Sequence, residues 1–218
     1  PAFGHVPMVL GSDRTRLSKR HGAMSVTEYR DMGYLPDAFI NYIVRLGWSF
    51  GDQEFFTREE LIEKFSLENI GRSAGIFDID KLLALNADHI KMTPPGKIAK
   101  HFAPFLNKLG IEVEDGPFVE GVIKTLNARS KTLKDMAENA LFYFKDTVSY
   151  DKDAASKFFT SGSLGILKML IESLESLDFF DEKSLENVFV KVMEATELKL
   201  GKIAQPVRLA LTGKTVSP

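Results

Sequence analysis

The sequence predicts a mainly α-helical protein with a short β element at its N-terminal end. Three observations carry this. Helix-start signals recur along the chain, including Ser25-Val26-Thr27-Glu28 and Thr57-Arg58-Glu59-Glu60, whose side chains can satisfy the free amides of a first helical turn. Apolar residues after these signals fall three and four apart, the period of one helix face. Only one apolar run, His5 to Leu10 between Gly4 and Gly11, lacks that spacing and reads as a single buried strand.

Taken in order, the segment Gly11 to Gly22 is polar and glycine-flanked, a loop, and everything after it reads as helical. The first helix starts at Ser25 and closes at Gly33, where glycine suits a left-handed cap. Pro36 opens the second, because proline is tolerated in a first turn. Its apolar stripe is Phe39, Ile40, Ile43, Val44 and Leu46, and Gly47 ends it. A third runs from Thr57 to about Phe65, and Asp78 caps a fourth through Leu82, Leu83 and Leu85. Thr93-Pro94-Pro95-Gly96 is the strongest punctuation in the chain. Beyond it, Ile98, Phe102, Phe105, Leu106 and Leu109 keep helical spacing to Gly110, and further helices are predicted over about 117–128, 132–144, 152–160, 163–177, 184–196 and 202–212. No fixed-period repeat is present.

Composition bounds the function. The 218 residues are 44% hydrophobic and 27% charged, ordinary for a soluble globular protein. Cysteine is absent, which excludes disulfides and thiolate metal sites and fits a reducing compartment. The four histidines, His5, His21, His89 and His101, are far apart, so no protein-bound zinc or other transition metal is expected. No stretch reaches the roughly 18 to 20 consecutive apolar residues of a membrane helix, and no charged-then-apolar leader opens the chain. A cytoplasmic protein without a membrane role is expected. Both ends read as interior, Pro1 opening within the strand and Pro218 closing a turn-like stretch, so a piece of a longer protein is expected.

The net charge of −2 argues against binding nucleic acid by bulk electrostatics, yet the charge is uneven. Arg14, Arg16, Lys19 and Arg20 stand within seven residues, and the last stretch, from Lys199, carries Lys199, Lys202, Arg208 and Lys214 with no anion. Four cations between glycines suit a flexible clamp for a polyanion such as a triphosphate. Phosphoryl and nucleotidyl transfer need positive charge placed where charge builds in the transition state. On charge alone, a solvated basic loop is the other reading.

The wider pattern resembles bacterial-type glutamyl-tRNA synthetases, class I aminoacyl-tRNA synthetases. Gly4-His5-Val6-Pro7-Met8-Val9-Leu10-Gly11 followed by Arg16-Leu17-Ser18-Lys19-Arg20-His21-Gly22-Ala23 is similar to that family's Lys-Met-Ser-Lys-Ser signature in its Lys-Arg form. Leu35-Pro36-Asp37-Ala38, Leu46-Gly47-Trp48-Ser49, Phe77 to Leu82, Thr132-Leu133-Lys134-Asp135 and Gly201 to Arg208 extend the resemblance over essentially the whole chain. The family's first signature lysine is Arg16 here, which keeps the charge.

The resemblance implies ATP-dependent ligation of glutamate to tRNA(Glu) through glutamyl-adenylate. Lys19 would hold the ATP phosphates with Arg16 and Arg20 in support, backbone groups near Leu17 would sit by the adenine, and Ser18 would shape the loop. It implies four regions: 1–24, the end of a catalytic domain; 25–93, a helical domain that contacts the tRNA stem; and 94–150 and 151–218, two subdomains of an α-helical cage that binds the anticodon. Arg208 is the first candidate for an anticodon contact, the other reading being a cation favoured by its helix dipole. Arg129 and Lys131 are second candidates, with a solvated turn as the alternative, and Ser217 and Pro218 belong to a stretch that touches anticodon bases in the family. ATP with Mg2+, L-glutamate and tRNA(Glu) are the implied partners of a monomer. The glutamate pocket and a His-Ile-Gly-His signature are expected in an upstream half, so the chain alone is expected not to charge tRNA.

Trp48, Phe55-Phe56, Phe158-Phe159 and Phe179-Phe180 read as core anchors near helix ends rather than RNA-stacking platforms, and His89 and His101 as structural or solvated. His21 could touch phosphate or serve loop packing. Two other classes stay open: a non-enzymatic RNA-binding or helical interaction module, and the related glutaminyl enzyme, whose C-terminal region is built of β-barrels.

Overall fold

A short parallel pair of strands anchors an otherwise helical chain in the computed structural model, which describes residues 6–19, 24–145 and 147–217. Strand β1 (Val9–Leu10) is followed by α1 (Val26–Asp31), α2 (Pro36–Arg45), α3 (Arg58–Lys64) and a 3-10 turn at Leu67–Asn69. Strand β2 (Gly75–Ile76) then precedes α4 (Ile79–Met92), α5 (Pro95–Lys108), α6 (Pro117–Leu126) and α7 (Leu133–Phe144). The remainder is α8 (Lys152–Phe158), α9 (Ser161–Glu175), α10 (Glu182–Thr196) and α11 (Leu200–Thr212). The mainly α class is therefore observed, and the chain divides into two units, 1–141 and 142–218.

The local signals act as the chemistry requires. Ser25 and Thr57 form full capping boxes with Glu28 and Glu60. The cap amides of Ser25 and Thr57 hold these two carboxyls below the ordinary carboxylate range. Asp78 caps α4 by accepting from the amides of Asp80 and Lys81. Pro36, Pro95 and Pro117 stand in first turns.

Three readings are corrected. Not everything after the loop is helical: Gly75–Ile76 pairs in parallel with Val9–Leu10, and the Phe77 amide donates to the Leu10 carbonyl at 2.8 Å. A two-residue strand has no periodicity to reveal it. A Cβ at Gly75 would lie 2.1 Å from the Leu46 carbonyl oxygen, so only glycine lets β2 lie against the end of α2. On α2 the buried face is Ala38, Asn41 and Tyr42, while Ile40 and Ile43 are exposed. A buried asparagine in a hydrogen-bond network shifts the face away from the purely apolar stripe. Lastly, Phe179 and Phe180 are not core anchors. They are 75% and 76% exposed in the α9–α10 connection.

In the first unit, Tyr29, Tyr34, Tyr42, Phe77 and Leu82 form one core, with Val9, Leu17 and Met24 packed against it. Trp48, Phe56 and Leu61 form a second, as expected for Trp48 and Phe56. Phe55 is half-buried, its ring 4.4 Å from that of His89. Helix α5 packs on α6 through buried Ile98, Phe102, Leu106, Val119, Val122 and Ile123. Each such side chain contributes about 1.5–3 kcal/mol by leaving water. In the second unit, α9, α10 and α11 close around Ile166, Leu170, Val188, Val192 and Ile203. Phe158 is half-buried there, whereas Phe159, also read as a core anchor, is exposed and meets Tyr150 edge-on at 5.4 Å. Every regular element described after Ile76 is a helix, unlike the barrel-rich alternative. Among the described residues no helix is long and apolar enough to cross a membrane.

Candidate functional site

The basic stretch is a hairpin rather than an open loop over the part the structure describes. From β1 the chain turns at 11–15, with the Gly11 amide donating to the Thr15 carbonyl at 2.8 Å and the Arg14 amide to the Gly11 carbonyl at 2.9 Å. The Asp13 carboxylate accepts from the Thr15 amide at 2.9 Å and from its hydroxyl at 2.8 Å. Arg14 takes a left-handed conformation, φ 60°. The return strand bridges Arg16 to Leu10 in antiparallel fashion, and the Leu17 amide donates to the Val9 carbonyl at 3.0 Å.

Extended backbone sends successive side chains to opposite faces. Leu17 therefore packs inward against the tyrosine core and Arg16 is exposed; Arg14 in the turn and Lys19 beyond the paired residues are exposed too, and Ser18 is half-buried. Lys19 also adds to the cap amide and hydroxyl of Ser25 in holding the Glu28 carboxyl ionised, which sets its ammonium in the field of α1's first turn. A cationic rim on a fixed apolar anchor can meet a polyanion. Arg20 and His21 lie outside the described residues.

Arg129 and Lys131 stand in the connection between α6 and α7, and both are exposed. Beneath them, the Ser130 hydroxyl donates to the Leu126 carbonyl at 3.0 Å, and the Lys131 carbonyl accepts from the Asn86 side chain at 2.6 Å. In the second unit Arg208 is half-buried on α11, and its Nε donates to the Ser217 hydroxyl at 2.8 Å. The structure thus joins two of the residues singled out for anticodon contact. Gly213, φ 72°, ends α11, where a Cβ would lie 2.2 Å from the Ser149 carbonyl oxygen. Pro218 lies outside the described residues. Sequence reasoning missed Asn86 and Asn41 as organisers, since a polar residue on a helix face signals solvent unless its partners are known.

Among the described residues no group of three His, Cys, Asp or Glu side chains could hold a metal ion. His89 is buried, its Nε2 3.1 Å from Asn41 Oδ1, and desolvation lowers its pKa. His101 is exposed.

Comparison with known proteins agrees with this arrangement. Residues 1–84 match the model for "tRNA synthetases class I (E and Q), catalytic domain", and residues 97–218 match that for "Anticodon binding domain". The chain is 61% identical over 218 residues to the glutamate–tRNA ligase of Desulfosudis oleivorans and 53% identical to that of Geotalea uraniireducens, covering all of this chain and 47% of each relative. A crystal structure of a glutamate tRNA ligase from Elizabethkingia meningosepticum in complex with its amino acid superposes with a TM-score of 0.83 at 27% identity, over 100% of this chain and 47% of that one. The chain spans about half the length of the curated relatives it matches. With a class I catalytic segment followed by an anticodon-binding domain, the chain belongs to the glutamate–tRNA ligase family of class I aminoacyl-tRNA synthetases.

Proposed function

We propose that this chain supplies the ATP-phosphate hairpin and the tRNA-holding arm of an ATP-dependent ligase that joins glutamate to tRNA(Glu). In the first step the glutamate carboxylate attacks the α-phosphorus of ATP, and pyrophosphate leaves. In the second, a ribose hydroxyl at the tRNA 3′ end attacks the glutamyl-adenylate carbonyl, and AMP leaves. The observation that carries the reading is the hairpin itself: backbone pinned at Val9 and Leu10 turns Leu17 inward and Arg16 outward, and Lys19 is exposed just beyond the paired residues.

Lys19 is the group we assign to the triphosphate, where its ammonium meets charge that grows as pyrophosphate departs. Arg16 and Arg20 support it, backbone groups near Leu17 sit by the adenine, and Ser18 shapes the loop. Magnesium is taken to arrive with the nucleotide and is given no ligands among the described residues. Arg129, Lys131, Arg208, Ser217 and Pro218 face the tRNA, with 25–93 on its stem and 94–150 and 151–218 on its anticodon arm. Glutamate and the acceptor end are bound by other parts of the enzyme, which we take to be a cytoplasmic monomer.

Lys19→Ala in a protein of the relatives' full length tests this. Adenylate formation, read as ATP–pyrophosphate exchange, is expected to lose about 2 to 4 kcal/mol of transition-state stabilisation, the scale for one preorganised charge. Binding of tRNA should change little. Unchanged exchange would sink the role given to Lys19. The 218-residue chain by itself is expected to bind tRNA with a salt-sensitive affinity and to charge none.

A further inference from the structure

We propose that Asn86 is a positioning residue for the Arg129–Lys131 turn, holding it at a set distance from the body that carries the basic hairpin. The inference rests on the tRNA-facing role given to Arg129 and Lys131 above.

Asn86 lies on α4 and is fully buried. Its side-chain oxygen accepts from the Leu35 amide at 2.8 Å, and its side-chain NH2 donates to the Lys131 carbonyl at 2.6 Å. One partner is a backbone N–H and the other a carbonyl, so the orientation of the amide is fixed by what it meets. The two bonds span 51 and 45 positions of sequence. A rigid primary amide bonded at both ends sets the spacing between the entry to α2 and the turn before α7.

A second tie lies beside the first. The Leu133 amide donates to the Gly33 carbonyl at 2.9 Å. Gly33 has φ +91°, and a Cβ there would lie 2.5 Å from the Lys134 nitrogen and 2.8 Å from the Leu133 nitrogen. The two backbones therefore touch with no side chain between them. Segment 33–35 also carries Tyr34, a member of the core that Leu17 packs against. A continuous path runs from Leu17 through the tyrosine core and Leu35 to Asn86 and Lys131. The exposed cations Arg16 and Lys19 at one end, and Arg129 and Lys131 at the other, belong to one frame. A tRNA held at the turn therefore meets cations whose place relative to the hairpin is already set, so little ordering entropy is lost on binding.

The test measures binding of a tRNA(Glu) transcript to the 218-residue chain by filter retention across a salt series, with thermal melting to confirm folding. Arg129→Ala/Lys131→Ala is expected to weaken binding tenfold or more and to reduce the log–log salt slope by about 1 to 2, the loss of one or two phosphate contacts. Asn86→Ala should weaken binding about fivefold and lower the slope in the same sense, which a reduced fraction of folded protein would not do. Asn86→Leu, which fills the space without the bonds, and Gly33→Ala, which displaces the turn from its other side, should match it and keep the measurement available if one variant fails to fold. Added to Arg129→Ala/Lys131→Ala, the Asn86 change should have no further effect, because it acts through those side chains. Folded Asn86 and Gly33 variants with unchanged affinity and slope would overturn the proposal, as would a full effect persisting in the double-alanine background. A double-alanine variant that binds as tightly as the parent would instead overturn the reading of the turn itself, and the inference with it.

Discussion

Each of the two units is held together internally by a different kind of contact. In the first, buried polar side chains reach across the sequence to backbone: Asn41 accepts from the Phe56 amide and donates to the Glu54 carbonyl, His89 meets Asn41 Oδ1, and Asn86 joins Leu35 to Lys131. In the second, the seam of α9, α10 and α11 is aliphatic, and its buried polar residue, Ser163, serves a local capping box with Thr160. Directional bonds specify where each segment lies, while aliphatic seams specify mainly that segments meet. The first unit should therefore be the less forgiving of single changes, and it carries the hairpin to which we give the triphosphate.

The sharpest way to break that contrast is Asn41→Ala. It strips partners from two buried groups, the Phe56 amide and His89 Nε2, and from the part-buried Glu54 carbonyl, and we expect a loss of about 3 to 5 kcal/mol at about 1 to 3 kcal/mol per orphaned group with partial relief by water. Urea denaturation should show this in the first unit alone. Ile203→Val, at a fully buried position of the second unit, should cost only about 0.5 to 1.5 kcal/mol. A larger penalty for Ile203→Val than for Asn41→Ala would reverse the comparison.

A smaller effect sharpens it through pH. Burial lowers the His89 pKa below the ordinary imidazole value of 6.5, with partial opposition from the carboxylates of Asp37 and Asp88. The unfolded chain thus binds a proton more readily than the folded one. Stability from this group is complete above pH 6.5 and is lost as pH falls below that value towards the folded pKa. Melting of the first unit should shift down across that window, and His89→Gln should flatten the dependence. An unaltered pH profile in His89→Gln would place the titration elsewhere.

Helix positions were legible because their signals are local: Ser25 with Glu28, Thr57 with Glu60, Asp78 at α4, and prolines in first turns all lie within a few residues of what they control. Features that depend on distant partners were not legible. Gly75–Ile76 becomes a strand only because Val9–Leu10 lies alongside, and α2 turns Asn41 inward only because the Phe56 amide, the Glu54 carbonyl and His89 await it. The site followed the same division. The run of cations was visible as composition, but the inward turn of Leu17 and the Arg208–Ser217 bond required the fold.

The hairpin's bridge between Leu10 and Arg16 makes its chemistry a matter of odd and even. If the return strand slipped by one residue, Leu17 would face solvent and a guanidinium would be driven into the tyrosine core, whereas a slip of two would keep Leu17 facing inward and Arg16 facing out. Changes of length between Leu10 and Arg16 should therefore be tolerated in pairs and rejected singly, a rule that neither the charge nor the composition of the segment would reveal.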